Sequence, residues 1–277
     1  MGCLKHAAAV VTMAAVFLLF LPAPSSQAAP RAAKDRLARA YVIEVDGVRR
    51  SEHEAQTALP PASLTKMMSG LLVIENGPLN GPVVVSRQAA AATGSRLGLR
   101  AGEQMLAGDL LTAMLVASSN DACSALAEWV AGSEAAFVGR MNSRAEQLGL
   151  TTTRFVNACG HDAAGHFSTA SDLALLARAA MAQPEYARRA RLEKIELAII
   201  GGQRHFSARN HNHLIGRFAG ATGVKSGFTA KAGKCLVATA ERNGHHVLLV
   251  MLDAKNRWWD ADAALEYALS RADEIAR

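Results

Sequence analysis

The chain has 277 residues, of which 50% are hydrophobic and 19% charged. That balance excludes a mostly disordered polymer, and the length allows one large domain or two small ones. The net charge of +6 suits an anionic partner, but no Lys/Arg run or RNA-binding aromatic signature points to nucleic acid, and four Cys without ligand spacing exclude a structural zinc site.

At the N-terminus, Lys5 and His6 precede an apolar run from Ala7 to Leu21. Pro22 and Pro24 break that run, and Ser26-Gln27-Ala28 places small residues at a cleavage site. This order predicts a secretory signal peptide over residues 1–28. The run is short for a membrane span of about 20 residues, and no later run is longer, so export without a stable membrane anchor is expected. Cys3 lies ahead of the apolar run, which excludes a lipoprotein. The exported chain keeps Cys123, Cys159 and Cys235, so at least one thiol stays free or pairs with another molecule. A Cys159–Cys235 disulfide is left open.

Residues 29–39 are polar, basic and Ala-rich and read as a linker to a folded part over 40–277. Tyr41–Val45, Asp46-Gly47 and Val48 onward predict a β-hairpin, because both positions of a tight Asp-Gly turn take positive φ. Pro60-Pro61 ends the extended stretch, and residues 63–75 read as an apolar helix. Leu110, Leu111, Met114 and Leu115 share one helical face, as do Phe137, Met141 and Leu148. A helix over 171–182 has Thr169 or Ser171 as its N-cap. Segments 192–200 and 203–208 flank Gly201-Gly202 as a weaker hairpin. Lys234–Ala240, Asn243-Gly244 and His245–Leu252 form a stronger one, and a last helix runs from Ala261 to Ile275. Strands at both ends bracket a helical middle, which predicts an α+β or mixed α/β fold whose one antiparallel sheet is built from both termini.

Three short words carry the chemistry. Ser63 and Lys66, three apart, share a helical face. A serine hydroxyl needs an adjacent base, and a lysine serves only when neutral, as burial and a nearby cation would make it. Ser118 and Asn120 offer a hydroxyl and a carboxamide at a helix junction. Lys225, Ser226 and Gly227 put a cation, a hydroxyl and a close-approach glycine on an extended segment. Each alone has a plainer explanation: capping, a solvent-facing lysine or a polar loop.

In this order S-x-x-K, S-x-N and K-S-G resemble the three-part signature of penicillin-recognising serine enzymes. The longer words PASLTKMM, SSNDAC-x-ALA, FVGRMN-x-RAEQLGL-x-x-T-x-F and KSGFT-x-x-AG resemble the low-molecular-mass penicillin-binding proteins, the D-alanyl-D-alanine carboxypeptidases, over about residues 40–270. The resemblance implies a β-lactamase/transpeptidase-like fold: a central antiparallel sheet flanked by helices, with a helical lobe beside it. It implies Ser63 as nucleophile, Lys66 as general base and Ser118 as proton relay. Asn120, Lys225, Ser226 and Gly227 would bind substrate, and the backbone N–H groups of Ser63 and Phe228 would form the oxyanion hole. It implies no cofactor and no metal. The partners would be peptidoglycan stem peptides and β-lactam antibiotics, met in the periplasm, cell wall or medium.

Three departures are visible. Ser226 stands where Thr is commoner, and a hydroxyl is kept. The β-rich second domain and amphipathic anchor of many relatives do not follow. Arg257 lies near the place of a carboxylate-binding arginine, but the sequence does not put it in that role. The stretch Met251–Ala254 resembles relatives that cut cross-links, so a D,D-endopeptidase is the nearest alternative. A silent penicillin-binding scaffold is another, although Ser63 and Lys66 are both present. A class A β-lactamase is disfavoured because Glu75–Asn80 precedes the second word instead of following it. His205, His211 and His213 lack metal-ligand spacing, Asn210 and Asn212 are expected to shape the cleft, and Asp162 to make local bonds. Cys123 reads as a small buried helical residue, and Trp258-Trp259 as core or surface patch.

Overall fold

The computed structural model describes Gly2 and residues 37–275. Apart from Gly2, the expected signal peptide lies outside the described residues. In chain order the elements are β1 (Ala40–Val45), β2 (Val48–His53), a 3-10 turn (Ala62–Thr65), α1 (Lys66–Asn76), β3 (Pro82–Val84), α2 (Arg87–Ala90), β4 (Gln104–Leu106), α3 (Ala107–Val116), α4 (Asn120–Ala131) and α5 (Glu134–Gln147). They continue with α6 (Ala170–Met181), α7 (Pro184–Ala190), β5 (Lys194–Ala198), β6 (His205–Arg209), β7 (Ala221–Thr229), β8 (Gly233–Arg242), β9 (His245–Ala254), α8 (Arg257–Ser270) and α9 (Ala272–Ile275).

The two terminal hairpins meet in one antiparallel sheet of order β2-β1-β9-β8-β7. Turn chemistry makes both hairpins, with Asp46 and Asn243 at φ +52° and +53°. Side chains alternate across the sheet. Leu236, Ala238, Ala240, Val247, Leu249 and Met251 face a core closed by Ala261, Leu265 and Ala268 of α8, whereas Val237, Leu248, Val250 and Leu252 face the helical core. The sheet is therefore covered on both faces, and its hydrophobic runs follow from that. Leu37 and Ala38 already pack into the α8 core, and Arg39 N–H donates to the Asp253 carbonyl, so the end of the expected linker belongs to the folded body.

The helical core explains why α1 is apolar all round. Every residue from Lys66 to Val73 is buried, among Leu110, Leu111 and Met114 of α3 and Leu126 of α4. Truncating such a residue, Leu71→Ala for example, costs about 2–5 kcal/mol. The expected helix over 63–75 begins as a 3-10 turn, because a left-handed Ala62 (φ +49°) forces a tight entry. Thr169, not Ser171, caps α6 by accepting from the Asp172 N–H. The last helix starts at Arg257, ahead of the expected Ala261, and breaks at Arg271 into α8 and α9. The short β3–β4 pair has no expectation behind it, for its three-residue strands are below any periodicity signal.

Candidate active site

The 3-10 turn carries Ser63 to the mouth of a cleft and leaves Lys66 beneath it. Lys66 Nζ donates to Ser63 Oγ at 3.0 Å and to the Cys159 carbonyl at 2.6 Å. The lysine is fully buried. Burial holds its pKa well below the ordinary lysine range, and the Lys225 ammonium adds to the effect.

Ser118 sits between α3 and α4 at φ +57°, a conformation that costs a non-glycine residue of the order of 1 kcal/mol or more. Its hydroxyl accepts from Lys225 Nζ at 2.9 Å, across 107 positions of sequence. Asn120 opens α4. Its Nδ2 donates to the Thr93 carbonyl at 2.6 Å, while its buried Oδ1 has no hydrogen-bond partner among the described residues. It does not itself line the opening, but it adjoins it, since its backbone N–H donates to the carbonyl of the cleft-lining Ser95 at 2.7 Å.

Strand β7, at the edge of the sheet, forms the opposite wall. Lys225 is buried, with its pKa pushed down to about 7 by burial first and the Arg257 charge second. Ser226 Oγ donates to the His211 carbonyl at 3.0 Å. Gly227 is where β7 meets the nucleophile turn: a Cβ there would stand 2.9 Å from Ser63 N and 3.0 Å from Ala62 Cβ. Only glycine permits that approach. Phe228 follows with its ring 65% exposed. The cleft has a volume of about 320 Å³, and Ser63, Ser118, Ser226, Gly227 and Phe228 line it.

Ser95, His211, His213 and Arg257 line it as well. Arg257 donates through Nη1 to the carbonyls of Gly227 (2.6 Å) and Cys235 (3.0 Å), and its guanidinium lies 4.3 Å from the Trp258 ring centre. Trp258 in turn stacks on His213 at 4.7 Å, whereas Trp259 is exposed. The pair is thus split between a cleft support and a surface ring. His211 is held neutral, its pKa lowered to about 4 by burial and by Lys225. Asn210 and Asn212 tie the segment before β7: Asn210 Nδ2 bonds the Ala190 and Leu192 carbonyls, and Asn212 Nδ2 bonds the Gly223 carbonyl. Glu75 is spent on an ion pair with Arg144 away from the cleft. Among the described residues, no group of three or more His, Cys, Asp or Glu could hold a metal ion.

The segment over residues 157–162 corrects two expectations. Cys123 is not merely a small buried residue, for it forms a disulfide with Cys159 and leaves Cys235 as a buried free thiol. Asp162 does not bond locally. It accepts from Thr229 Oγ1 at 2.6 Å and from Lys231 N at 3.2 Å, tying this segment to the end of β7. The Cys159 carbonyl leaves no sign in the sequence because a backbone acceptor has no residue-type signature, and Arg257, whose role the sequence left open, is here a lining residue of the cleft.

Comparison with known proteins agrees with this geometry. The family model of the D-alanyl-D-alanine carboxypeptidases, peptidase family S11, matches residues 37–256. The chain is 33% identical over 255 residues to the D-alanyl-D-alanine carboxypeptidase DacF of Bacillus subtilis, covering 82% of this chain and 65% of that one. It is 36% identical over 261 residues to the carboxypeptidase DacC of Escherichia coli, covering 86% and 62%. It thus spans somewhat less than two thirds of the length of these two relatives. A crystal structure of a D-alanyl-D-alanine carboxypeptidase from Mycobacterium tuberculosis superimposes with a TM-score of 0.80 at 29% identity, covering 86% of this chain and 92% of that one. With its sheet, its buried Lys66 beside Ser63 and its match over most of its length, the chain belongs to the D-alanyl-D-alanine carboxypeptidase family.

Proposed function

We propose that this protein is a serine D-Ala-D-Ala carboxypeptidase that removes the terminal D-alanine from peptidoglycan stem pentapeptides. The observation that carries the reading is a buried lysine with a depressed pKa, 3.0 Å from a half-buried serine hydroxyl. A neutral Lys66 has a lone pair for the Ser63 proton as Oγ attacks the carbonyl carbon of the penultimate residue. The N–H groups of Ser63 and Phe228 would receive the developing oxyanion, and the tight packing of Gly227 against Ser63 N supports that pairing. Collapse of the tetrahedral intermediate breaks the C–N bond. The leaving amine takes a proton through Ser118, whose hydroxyl Lys225 orients. Water then cleaves the Ser63 ester with Lys66 again as base, and free enzyme returns.

Ser226 and Arg257 would hold the terminal carboxylate, and Asn120 the substrate amide. A carboxylate gains charge-assisted bonds there that an internal amide lacks. The same serine would be acylated by β-lactams, whose ring nitrogen stays tethered as leaving group. Export is part of the proposal. The residues expected to form a signal peptide precede the body, and a disulfide such as Cys123–Cys159 belongs to an oxidising compartment. Among the described residues no helix is long and apolar enough to cross a membrane.

Incubation with a pentapeptide monomer and a cross-linked dimer, followed by mass spectrometry, tests the reading. Release of D-Ala from the monomer is expected. A dimer preference of about tenfold or more in kcat/KM, about 1.4 kcal/mol, would turn the assignment to an endopeptidase. Penicillin labelling without turnover of either substrate would leave a binding scaffold.

A further inference from the structure

Lys66 has no carboxylate in salt-bridge reach among the described residues. The titratable groups that face it are Lys225 from β7, His161 from the segment over residues 157–162 and His211 from the segment before β7. None is an anion. A lysine side chain is long and rotatable, so something must decide where Nζ points. Besides Ser63 Oγ, the acceptor that does so is the Cys159 carbonyl, at 2.6 Å.

That carbonyl belongs to a strip without regular structure. Its neighbours are held by hydrogen bonds, each worth about 1 kcal/mol, and Asp162 adds two more to Thr229 and Lys231 at the end of β7. Ser69 Oγ donates to the Ala158 carbonyl at 2.6 Å, Ala158 N donates to Glu134 Oε1 at 2.9 Å, and Asn157 Oδ1 accepts from Gly160 N at 2.7 Å. Gly160, at φ +87°, lies so close that a Cβ there would stand 2.0 Å from the Ala62 carbonyl oxygen, so the strip abuts the nucleophile turn itself. One covalent bond fixes it: Cys159 is joined to Cys123, in the first turn of α4 just beyond Asn120. Both half-cystines are 1% exposed, which suits a fixed brace and not an accessible redox switch.

We propose that the Cys123–Cys159 disulfide is a positioning device for the general base: it holds the Cys159 carbonyl where that oxygen keeps Lys66 Nζ at the Ser63 hydroxyl. The proposal rests on the reading of Lys66 as base given above. Cys123 and Cys159 are positioning residues that act through Lys66 and touch no substrate. The brace also binds the strip to α4, so the wall carrying Ser118 and Asn120 and the acceptor of Lys66 move as one body. Without it, the strip would loosen and admit water to a lysine whose low pKa depends first on burial.

The test is the acylation rate of the exported chain with a fluorescent penicillin from about pH 6 to about pH 10, beside thermal unfolding. The variant Cys123→Ser/Cys159→Ser keeps the backbone carbonyl and removes only the link. We expect acylation about tenfold slower in the folded variant, since small misplacements of a reacting group are costly. We also expect the rising limb to move to higher pH by about half a unit as Lys66 is rehydrated. A disulfide that only stabilises would lower the melting temperature and leave rate constant and limb where they were, and that result overturns the proposal. If the double variant does not fold, Cys123→Ala/Cys159→Ala removes the same link without burying two hydroxyls. A slower rate with an upward limb shift supports the proposal there, and wild-type values refute it. A wild type that never acylates is a separate outcome: it sinks the functional reading itself, and this proposal with it.

Discussion

Replacing Gly227 by alanine adds one methyl group where β7 touches the nucleophile turn. Its Cβ would lie 2.9 Å from Ser63 N, 3.0 Å from Ala62 Cβ and 3.3 Å from Leu64 N. Ordinary carbon contacts begin near 3.5 Å, so about half an ångström must be found. These neighbours are backbone atoms and an alanine methyl, so no flexible side chain can swing aside. Nor can the turn retreat easily, for Gly160 stands against the Ala62 carbonyl on that turn. Either β7 or the turn shifts, and with it the separation of the Ser63 and Phe228 N–H groups. Overpacking of this kind costs about 1–3 kcal/mol in stability. A displacement of half an ångström to an ångström at the reacting serine costs about tenfold to a hundredfold in acylation. Stopped-flow acylation with a reporter penicillin and a thermal melt measure the two effects. Glycine-to-alanine in open extended backbone stabilises, since alanine loses less conformational freedom on folding. A G227A protein that melts at or above the wild-type temperature and acylates within about twofold of it would refute the close-approach argument.

Ser63→Ala should abolish both covalent penicillin labelling and D-Ala release while the melt is unchanged; a penicillin adduct on another serine of the wild type, located by mass spectrometry, would contradict the assignment. Lys225→Gln should shift the rising limb of acylation to higher pH, because removing a neighbouring cation raises the pKa of Lys66 and the base must be neutral to act; the limb is read in the variant's residual rate, and an unmoved limb argues against the coupling. His166 is buried, accepting at Nδ1 from Val156 N and bonding Thr65 Oγ1 through Nε2, and burial lowers its pKa to about 4 from an ordinary 6.5. The stability its neutral form contributes is present above pH 6.5 and is lost as pH falls toward 4, by up to about 3 kcal/mol. His211 is shifted as far, so His166→Gln should remove about half of the acid-side slope that the two histidines give a melting-temperature profile, and an equally steep loss in the variant would place the acid sensitivity elsewhere.

Much of this arrangement is legible along the chain because it is built from local rules. Asp46-Gly47 and Asn243-Gly244 state their turns, and unbroken apolar runs such as Val247–Leu252 fit strands covered on both sides. The reactive words are legible because serine, lysine and asparagine have few reasons to recur in that order. What was not legible is what distance in sequence hides. The Lys66–Cys159 contact spans 93 positions and the Asp162–Thr229 contact 67, and neither leaves a trace in spacing. Three cysteines allow three pairings, and only the packing of α4 against the 157–162 segment selects Cys123 with Cys159. Arg257 was visible as a residue but not as a neighbour of Gly227, because its direction depends on how α8 leaves β9.

The register of β1 against β9 also orders events in time. Val42 pairs with Val250 and Ala40 with Leu252, so the first strand of the described residues finds its inner neighbour in the last, about 200 positions on. Until β9 is present, the β1–β2 hairpin has no sheet to join, β8 lacks its inner neighbour, and α8, which brings Arg257 to the cleft, has no surface to dock on. Pairing of such sequence-distant strands must meet the loop-closure cost before any contact offsets it, so assembly is late and cooperative. A chain cut at the Asn243-Gly244 turn would carry Ser63, Lys66, Ser118 and Lys225 without the central strand of the sheet. The cleft wall that carries Lys225 and Ser226 is thus an edge strand whose place depends on β8 and, through it, on β9.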